Sequence, residues 1–273
     1  MQNGKAVWPW VVGLVVIGGA GAWLFRDSFG HAEAPPPTVA AADAPATAPA
    51  GSSPPAPTPP PVQHPLDTEA AADPALPKLA DSDAAAWEAL GTLFPGEGAL
   101  APLMREFLIQ RLVSHIDNLD KPSVPSTVLA VRPLPGSLQV EAAADADGSE
   151  RIAAANAARY APYVKAFTAA DADAVGKAYV RFYPLVQKTY AELGRRDAYF
   201  NDRLVQLIDH LLATPEPARP LAVERDERGR YRFADPALQS RSVGQKALLR
   251  LDLQQERAVK QQLRAIRSAV TRG

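Results

Sequence analysis

No cysteine occurs anywhere in the chain. A disulfide framework and a thiolate metal centre are therefore both excluded, whatever the compartment. Histidine is nearly as scarce, with four in all, and only His115 and His210 fall in the part that reads as folded. Two histidines on separate helices make no zinc signature. A His-Glu-x-x-His pair, a glycine-rich phosphate loop and a Gly-x-Ser-x-Gly elbow are all missing. Asp145-Ala146-Asp147-Gly148 is a turn that only imitates the start of a calcium loop, since the later ligand positions are absent. The sequence thus points to no cofactor and no metal. Charge of one sign is also missing where folding is expected: residues 78–273 carry 27 bases against 24 acids, a net of +3. That is too mild to require a nucleic-acid partner.

What is present is strongly ordered along the chain. Ala6 to Phe25 has no charged side chain, and these 20 residues match a hydrocarbon core of about 30 Å. Trp8, Trp10 and Trp23 sit near its ends, where an interfacial aromatic belt belongs. Lys5 precedes it, while Arg26 and Asp27 cancel after it, which favours a cytoplasmic N-terminus. A cleaved signal peptide is the rival reading, through Ala20-Gly21-Ala22 or Ala32-Glu33-Ala34. The first is followed by bulky Trp23-Leu24-Phe25 and the second by Pro35, so an uncleaved anchor is preferred. Prolines cluster next, with runs at Pro35-Pro36-Pro37 and Pro59-Pro60-Pro61. From 31 to 77 there is no lysine or arginine and too little large apolar side chain to offset the entropy of ordering. The expected organisation is a cytoplasmic stub at 1–5, an inner-membrane helix at 6–25, a disordered Pro/Ala-rich linker at 26–77 and a periplasmic helical domain at 78–273.

Within that domain the stretch from Val180 to Pro215 carries the clearest pattern. Tyr179, Phe182, Val186 and Tyr190 recur at helical spacing. Pro184 is expected to kink this helix or mark its start, Gly194 to end it in a left-handed conformation, and Asp197 to cap the next. Phe200, Leu204, Leu207, Ile208 and Leu211 line that second helix, which Pro215 stops. The short connection favours an antiparallel pair. Further helices are expected after Asp81 or Ser82, from about Ala99 to Asn118, from about Ile152 to Thr168 with an interruption at Pro162, after Asp171, through Val243, and from Asp252 onward. Leu221 to Phe233 reads as a β-hairpin around Asp226-Glu227-Arg228-Gly229. The fold class is mostly α: a bundle-like helical domain with a small hairpin.

Arg159-Tyr160-Ala161-Pro162-Tyr163-Val164, Tyr183-Pro184-Leu185, Phe200-Asn201-Asp202-Arg203-Leu204, Leu211-Leu212-Ala213-Thr214-Pro215 and Ser242-Val243-Gly244-Gln245-Lys246 resemble, in this order, segments of a bacterial envelope family. That family is catalogued as a domain of unknown function, number three thousand and fourteen. The resemblance runs from about Leu76 onward and implies a mostly helical domain behind one membrane anchor. It carries no catalytic residue over.

Two functional readings follow. In the first, a binding or scaffolding module faces an envelope protein or cell-wall polymer. Arg159, Tyr160, Tyr163, Tyr183, Tyr190 and Arg203 are its candidate surface, because tyrosine and arginine together build grooves for peptides and glycans. Plain helix packing is the competing account of the same rings. In the second reading, an envelope hydrolase uses His115 or His210. The basic run Arg257, Lys260, Arg264, Arg267 and Arg272 is read as a solvated helix face, ahead of a contact with anionic lipid or polymer.

Overall fold

A computed structural model describes residues 61–69, 73–94, 98–132, 134–142 and 149–272. The expected membrane helix at 6–25, the linker up to residue 60 and the Asp145-Ala146-Asp147-Gly148 turn lie outside the described residues. Among the described residues no helix is long and apolar enough to cross a membrane.

Eight α-helices and a small sheet form this part of the chain. The helices are α1 (Asp83–Leu93), α2 (Leu108–Asp117), α3 (Asn156–Ala169), α4 (Ala172–Glu192), α5 (Phe200–Leu212), α6 (Pro236–Gln239), α7 (Val243–Leu249) and α8 (Leu253–Thr271). The strands are β1 (Val140–Ala142), β2 (Glu150–Ile152), β3 (Ala222–Arg225) and β4 (Tyr231–Phe233). The expected hairpin is present as β3 and β4, with Val223 opposite Phe233. It is half of a four-stranded antiparallel sheet in the order β1-β2-β3-β4, in which β2 joins β3 through Glu150 opposite Val223. The outer pair escapes a pattern search because each strand is three residues long and β1 turns no fully buried side chain inward.

α8 is the axis of the helical body. Its residues Val259, Leu263, Ile266 and Val270 are almost wholly buried, and α3, α4 and α5 all pack along it. α4 and α5 therefore share α8 as their main partner and touch each other little, unlike a simple antiparallel hairpin. α8 also ends its neighbours' backbones. Gln262 donates to the Ala170 carbonyl after α3 at 2.7 Å, and Lys260 to the Thr214 carbonyl after α5 at 2.6 Å. Unsatisfied carbonyls at helix C-termini are thereby paired inside the core. Of the five basic residues read as a solvated face, Lys260 is 2% exposed, Arg257 pairs with Glu216, Arg267 with Asp209 and Arg272 with Asp173.

Several local expectations need correction. Pro184 does not mark a helix start, since α4 runs through it from Ala172 to Glu192. α3 likewise continues through Pro162, and Ile152 belongs to β2. Gly194 does take the left-handed conformation at φ 87°. Asp197, however, caps nothing: α5 begins at Phe200 after Tyr199. Its first free amides are met from α4, with Phe200 N donating to Gln187 Oε1 at 2.8 Å and Asn201 N to Tyr183 Oη at 3.2 Å. The helix expected from Ala99 is confined to Leu108–Asp117. Asp83 of α1 sets that start by accepting from the Phe107 and Leu108 amides, each at 2.8 Å. The preceding residues form a bridge, Leu103 opposite Val131, instead of another helical turn. Phe107 is 63% exposed with φ 55°.

α7 joins the two cores. Ala247 and Leu248 belong to the helical core, whereas Leu249 packs with Ile152, Leu221, Val223, Phe233 and Leu238 beneath the sheet. Gly244 allows α7 to lie close to the end of α2. A Cβ there would sit 2.6 Å from Leu211 Cδ2 and 2.9 Å from the Leu119 carbonyl oxygen, to which the Gly244 amide donates at 3.0 Å. Backbone cannot yield as a side chain can. Gly244→Ala is expected to destabilise the protein by about 1–3 kcal/mol, read as a lowered urea midpoint. An unchanged midpoint would mean that α7 shifts away without cost.

Candidate functional site

A cavity of about 330 Å³ opens where the sheet meets the helical body. Four parts of the chain wall it: Glu141 of β1, the turn from Ile152 to Ala157 between β2 and α3 (Ala155 aside), Arg219-Pro220-Leu221 before β3, and Leu249–Asp252 between α7 and α8. Short strands and capped helices converge here. Asp252 caps α8 by accepting from the Gln255 amide at 2.7 Å. Buried Asn156 holds the strand side, donating to the Gln139 and Ala153 carbonyls at 2.7 and 2.8 Å and accepting from the Gln139 amide at 3.1 Å. The Arg219-Pro220 peptide is cis.

Two arginines give the cavity its polarity. Arg219 donates to the Pro217 carbonyl at 2.8 Å, the Leu251 carbonyl at 3.2 Å and Glu256 Oε2 at 2.5 Å, so it fixes the floor against α8. Arg250 is 4% exposed and lies 5.7 Å from the Phe233 ring centroid. Burial pushes its guanidinium down to about 10; Tyr160 opposes this and the neighbouring cation Arg159 adds to it. Arg250 remains cationic at neutral pH. Among the described residues that line the cavity there is no serine, threonine, lysine or histidine. The arrangement is suited to holding a ligand, with apolar walls, two arginines and the carboxylates Glu141 and Asp252 at its edge.

The two histidines have different surroundings. His115 is wholly buried on α2. Its Nδ1 accepts from the Ala130 amide at 3.3 Å, which leaves the ring proton on Nε2. Burial pushes its pKa down to about 4. His210, half-buried on α5, places Nε2 2.8 Å from Ser242 Oγ, and burial lowers its pKa as well. Ser242 Oγ simultaneously accepts from the Gln245 amide at 3.2 Å as the cap of α7. The adjacent Asp209 is turned to Arg267 at 2.6 Å, so it does not orient the imidazole.

The six tyrosines and arginines expected to form a surface are distributed over three helices. Arg159 on α3 grips the carbonyls of Leu134, Pro135 and Gly136 at 2.9–3.3 Å. Tyr160 beside it is 3% exposed, and Tyr163 is half-buried against the helical core. Tyr183 and Tyr190 on α4 are each 3% exposed. Their rings meet Tyr199 and Phe200, each with centroids 5.1 Å apart. Arg203 on α5 reaches Asp117 at 2.7 Å and Asp120 at 2.9 Å, and also donates to the Asp117 carbonyl at 2.7 Å. It ties the end of α2 to α5. These partners place Tyr160, Tyr183, Tyr190 and Arg203 mainly in packing.

The residues beside Arg203 hold a segment far away in the chain. Asp202 accepts from the backbone amides of Gln63 and His64 at 2.9 and 2.7 Å. Tyr199 Oη accepts from the Leu66 amide at 3.0 Å, and Asn201 Nδ2 donates to the His64 carbonyl at 2.8 Å. Farther along, Asp73 pairs with Arg181 at 2.6 Å. The last part of the expected linker, from Gln63 on, is thus attached to the helical body. Its composition gave no warning because the ordering comes from acceptors on α5, some 135 positions away.

Comparison with known proteins adds one finding. No curated protein and no solved structure matches the chain. The model of one family, described as Protein of unknown function (DUF3014), matches residues 108–267. That interval starts at the first residue of α2 and ends inside α8, and it contains all three helices that close on α8 together with the clamp at Asn201 and Asp202. It covers more than half of the chain, which therefore belongs to the DUF3014 family, as the order of its Arg159, Tyr183, Phe200 and Ser242 motifs indicates.

Proposed function

We propose that this chain is a membrane-anchored binding or scaffolding module of the cell envelope. Residues 6–25 hold it in the inner membrane, the Pro-rich stretch spaces it outward, and the helical domain faces the periplasm. The observation that supports binding is the 330 Å³ cavity at the seam of the two cores, with its apolar walls and the fixed cations Arg219 and Arg250. Pockets of this size and lining suit part of a peptide or glycan, or a small ligand. An envelope protein or cell-wall polymer is the expected partner, with half-buried Arg159 and Tyr163 on the neighbouring helix as the members of the Tyr/Arg set nearest to solvent.

Site-specific photocrosslinking in living cells tests this on the full chain. A photoreactive residue at exposed Ala154 on the cavity rim is expected to give one dominant adduct. The same residue at Leu193, 45% exposed on another part of the domain, is expected to give none. Equal labelling at both positions, or none at either, would sink the reading. A C-terminal alkaline phosphatase fusion should be active and a fluorescent-protein fusion dark if the domain is periplasmic.

The contact between His210 Nε2 and Ser242 Oγ favours one second reading, an envelope hydrolase. Hydrolysis in an activity screen that both His210→Ala and Ser242→Ala abolish, while leaving the urea midpoint in place, would establish it over binding alone.

A further inference from the structure

Every contact that Tyr199, Asn201 and Asp202 make with residues 63–66 goes to the backbone. Asp202 takes two successive amides, Tyr199 Oη takes the amide of Leu66, and Asn201 gives to the carbonyl of His64. Between these amides stands Pro65, the one residue of the four with no N–H to satisfy. The chain bends at Gln63 and His64, which turns their successive N–H groups to one carboxylate; along a straight strand they would point to opposite sides. Such a site reads a bent chain by its backbone hydrogen-bonding groups and not by its side chains. The site also belongs to the domain and not to its occupant. Asn201 Nδ2 is held at 3.0 Å by the Val270 carbonyl of α8, and the Tyr199 ring rests on Tyr183. The occupant, by contrast, is lightly held: Val62 is 48% exposed, Gln63 is exposed, and Leu66 is its one apolar side chain packed against the core.

We propose that Tyr199, Asn201 and Asp202 form a receptor for a bent peptide backbone, and that Gln63–Leu66 is its releasable occupant. While the segment is seated, the tether ends at Gln63. When it leaves, the chain is held again at the latest by the Asp73–Arg181 pair, so the tether gains at most about ten residues, on the order of 30 Å at about 3.1 Å each. The domain thus has a short and a long reach from whatever holds its N-terminal side. The receptor fits any segment that can bend to present two adjacent N–H groups on one side, and the chain's own segment is favoured by its permanent attachment.

The test uses proline as a reagent, since proline removes the donors while leaving the receptor intact. In the full chain in detergent, Gln63→Pro with His64→Pro should vacate the site. A fluorescent peptide of residues 60–69 should then bind this variant at least tenfold more tightly than it binds the wild type, by anisotropy, and Asp202→Ala added to the double variant should abolish the gain. Hydrogen exchange provides a second measure that needs no peptide. The amides of Gln63, His64 and Leu66 should exchange at least tenfold faster in Asp202→Ala, with α5 protection unchanged. Equal peptide binding to wild type and variant, or binding to neither, overturns the proposal, as does unchanged exchange at these amides. A concentration-dependent wild-type dimer that the proline variant lacks would place a second copy's segment in the receptor and overturn the assignment to the chain's own.

Discussion

Replacing Glu256 by alanine is expected to cost about 3–5 kcal/mol of stability. The Glu256 side chain is wholly buried on α8 and sits between two cations, Lys260 Nζ at 2.9 Å and Arg219 Nη2 at 2.5 Å. Burial raises its pKa, and the two cations only partly offset this. Without the carboxylate, Lys260, itself 2% exposed, keeps only the Thr214 carbonyl and the more exposed Glu216, and Arg219 loses its partner at the cavity floor. The penalty is that of leaving charge in the core, not the net worth of a salt bridge. Urea unfolding of the full chain should show it as a lowered midpoint with an unchanged slope. A loss below about 1 kcal/mol would mean that water reaches Lys260. Replacing the pair together, Glu256→Leu with Lys260→Met, should cost less than the sum of the single changes, because no ammonium is then stranded.

Acid should weaken the fold through His115, and by nearly as much. The unfolded chain binds a proton there at a pKa of about 6.5, whereas the buried ring does so only at about 4. Above pH 6.5 neither state is protonated and His115 leaves stability unchanged. As pH falls from 6.5 towards 4, the unfolded state gains a proton that the folded state refuses, and about 3 kcal/mol is lost over that interval. His115→Asn keeps an acceptor for the Ala130 amide but does not titrate. The difference in unfolding free energy between wild type and variant should therefore vary by about 3 kcal/mol between pH 6.5 and 4 and be flat above 6.5. A constant difference would show that the imidazole reaches solvent. Half-buried His210, whose pKa is also lowered, stays in both proteins and cancels.

The parts of this fold that were legible are those decided within a few residues. Period marked α4, α5 and the apolar stripe of α8, Gly194 marked a helix end, and Asp226-Glu227-Arg228-Gly229 marked the hairpin. What could not be read depends on partners far along the chain. Lys260 looks like a surface cation until Thr214 and Glu256 are placed around it. The stretch from Ala99 has helical spacing, yet Asp83 fixes the helix start at Leu108. Asp202 and Asn201 stood out only as part of a motif, because the amides they hold lie in a segment whose composition predicts disorder. The cavity is assembled from the ends of elements, where neither period applies. The tyrosines at 160, 183 and 190 were conspicuous for their type, but type alone does not distinguish a ring facing a ligand from one facing a helix.

The place of α8 in the order of the chain has a consequence for biosynthesis. α3, α4 and α5 all precede, in sequence, the helix they close upon. α4 and α5 can already meet α2, but none of the three can complete its packing while a ribosome is still short of residue 253. A growing chain therefore carries an incomplete core through most of its synthesis. The last helix to be made thus completes the core, and closure of the domain becomes a late event in its synthesis.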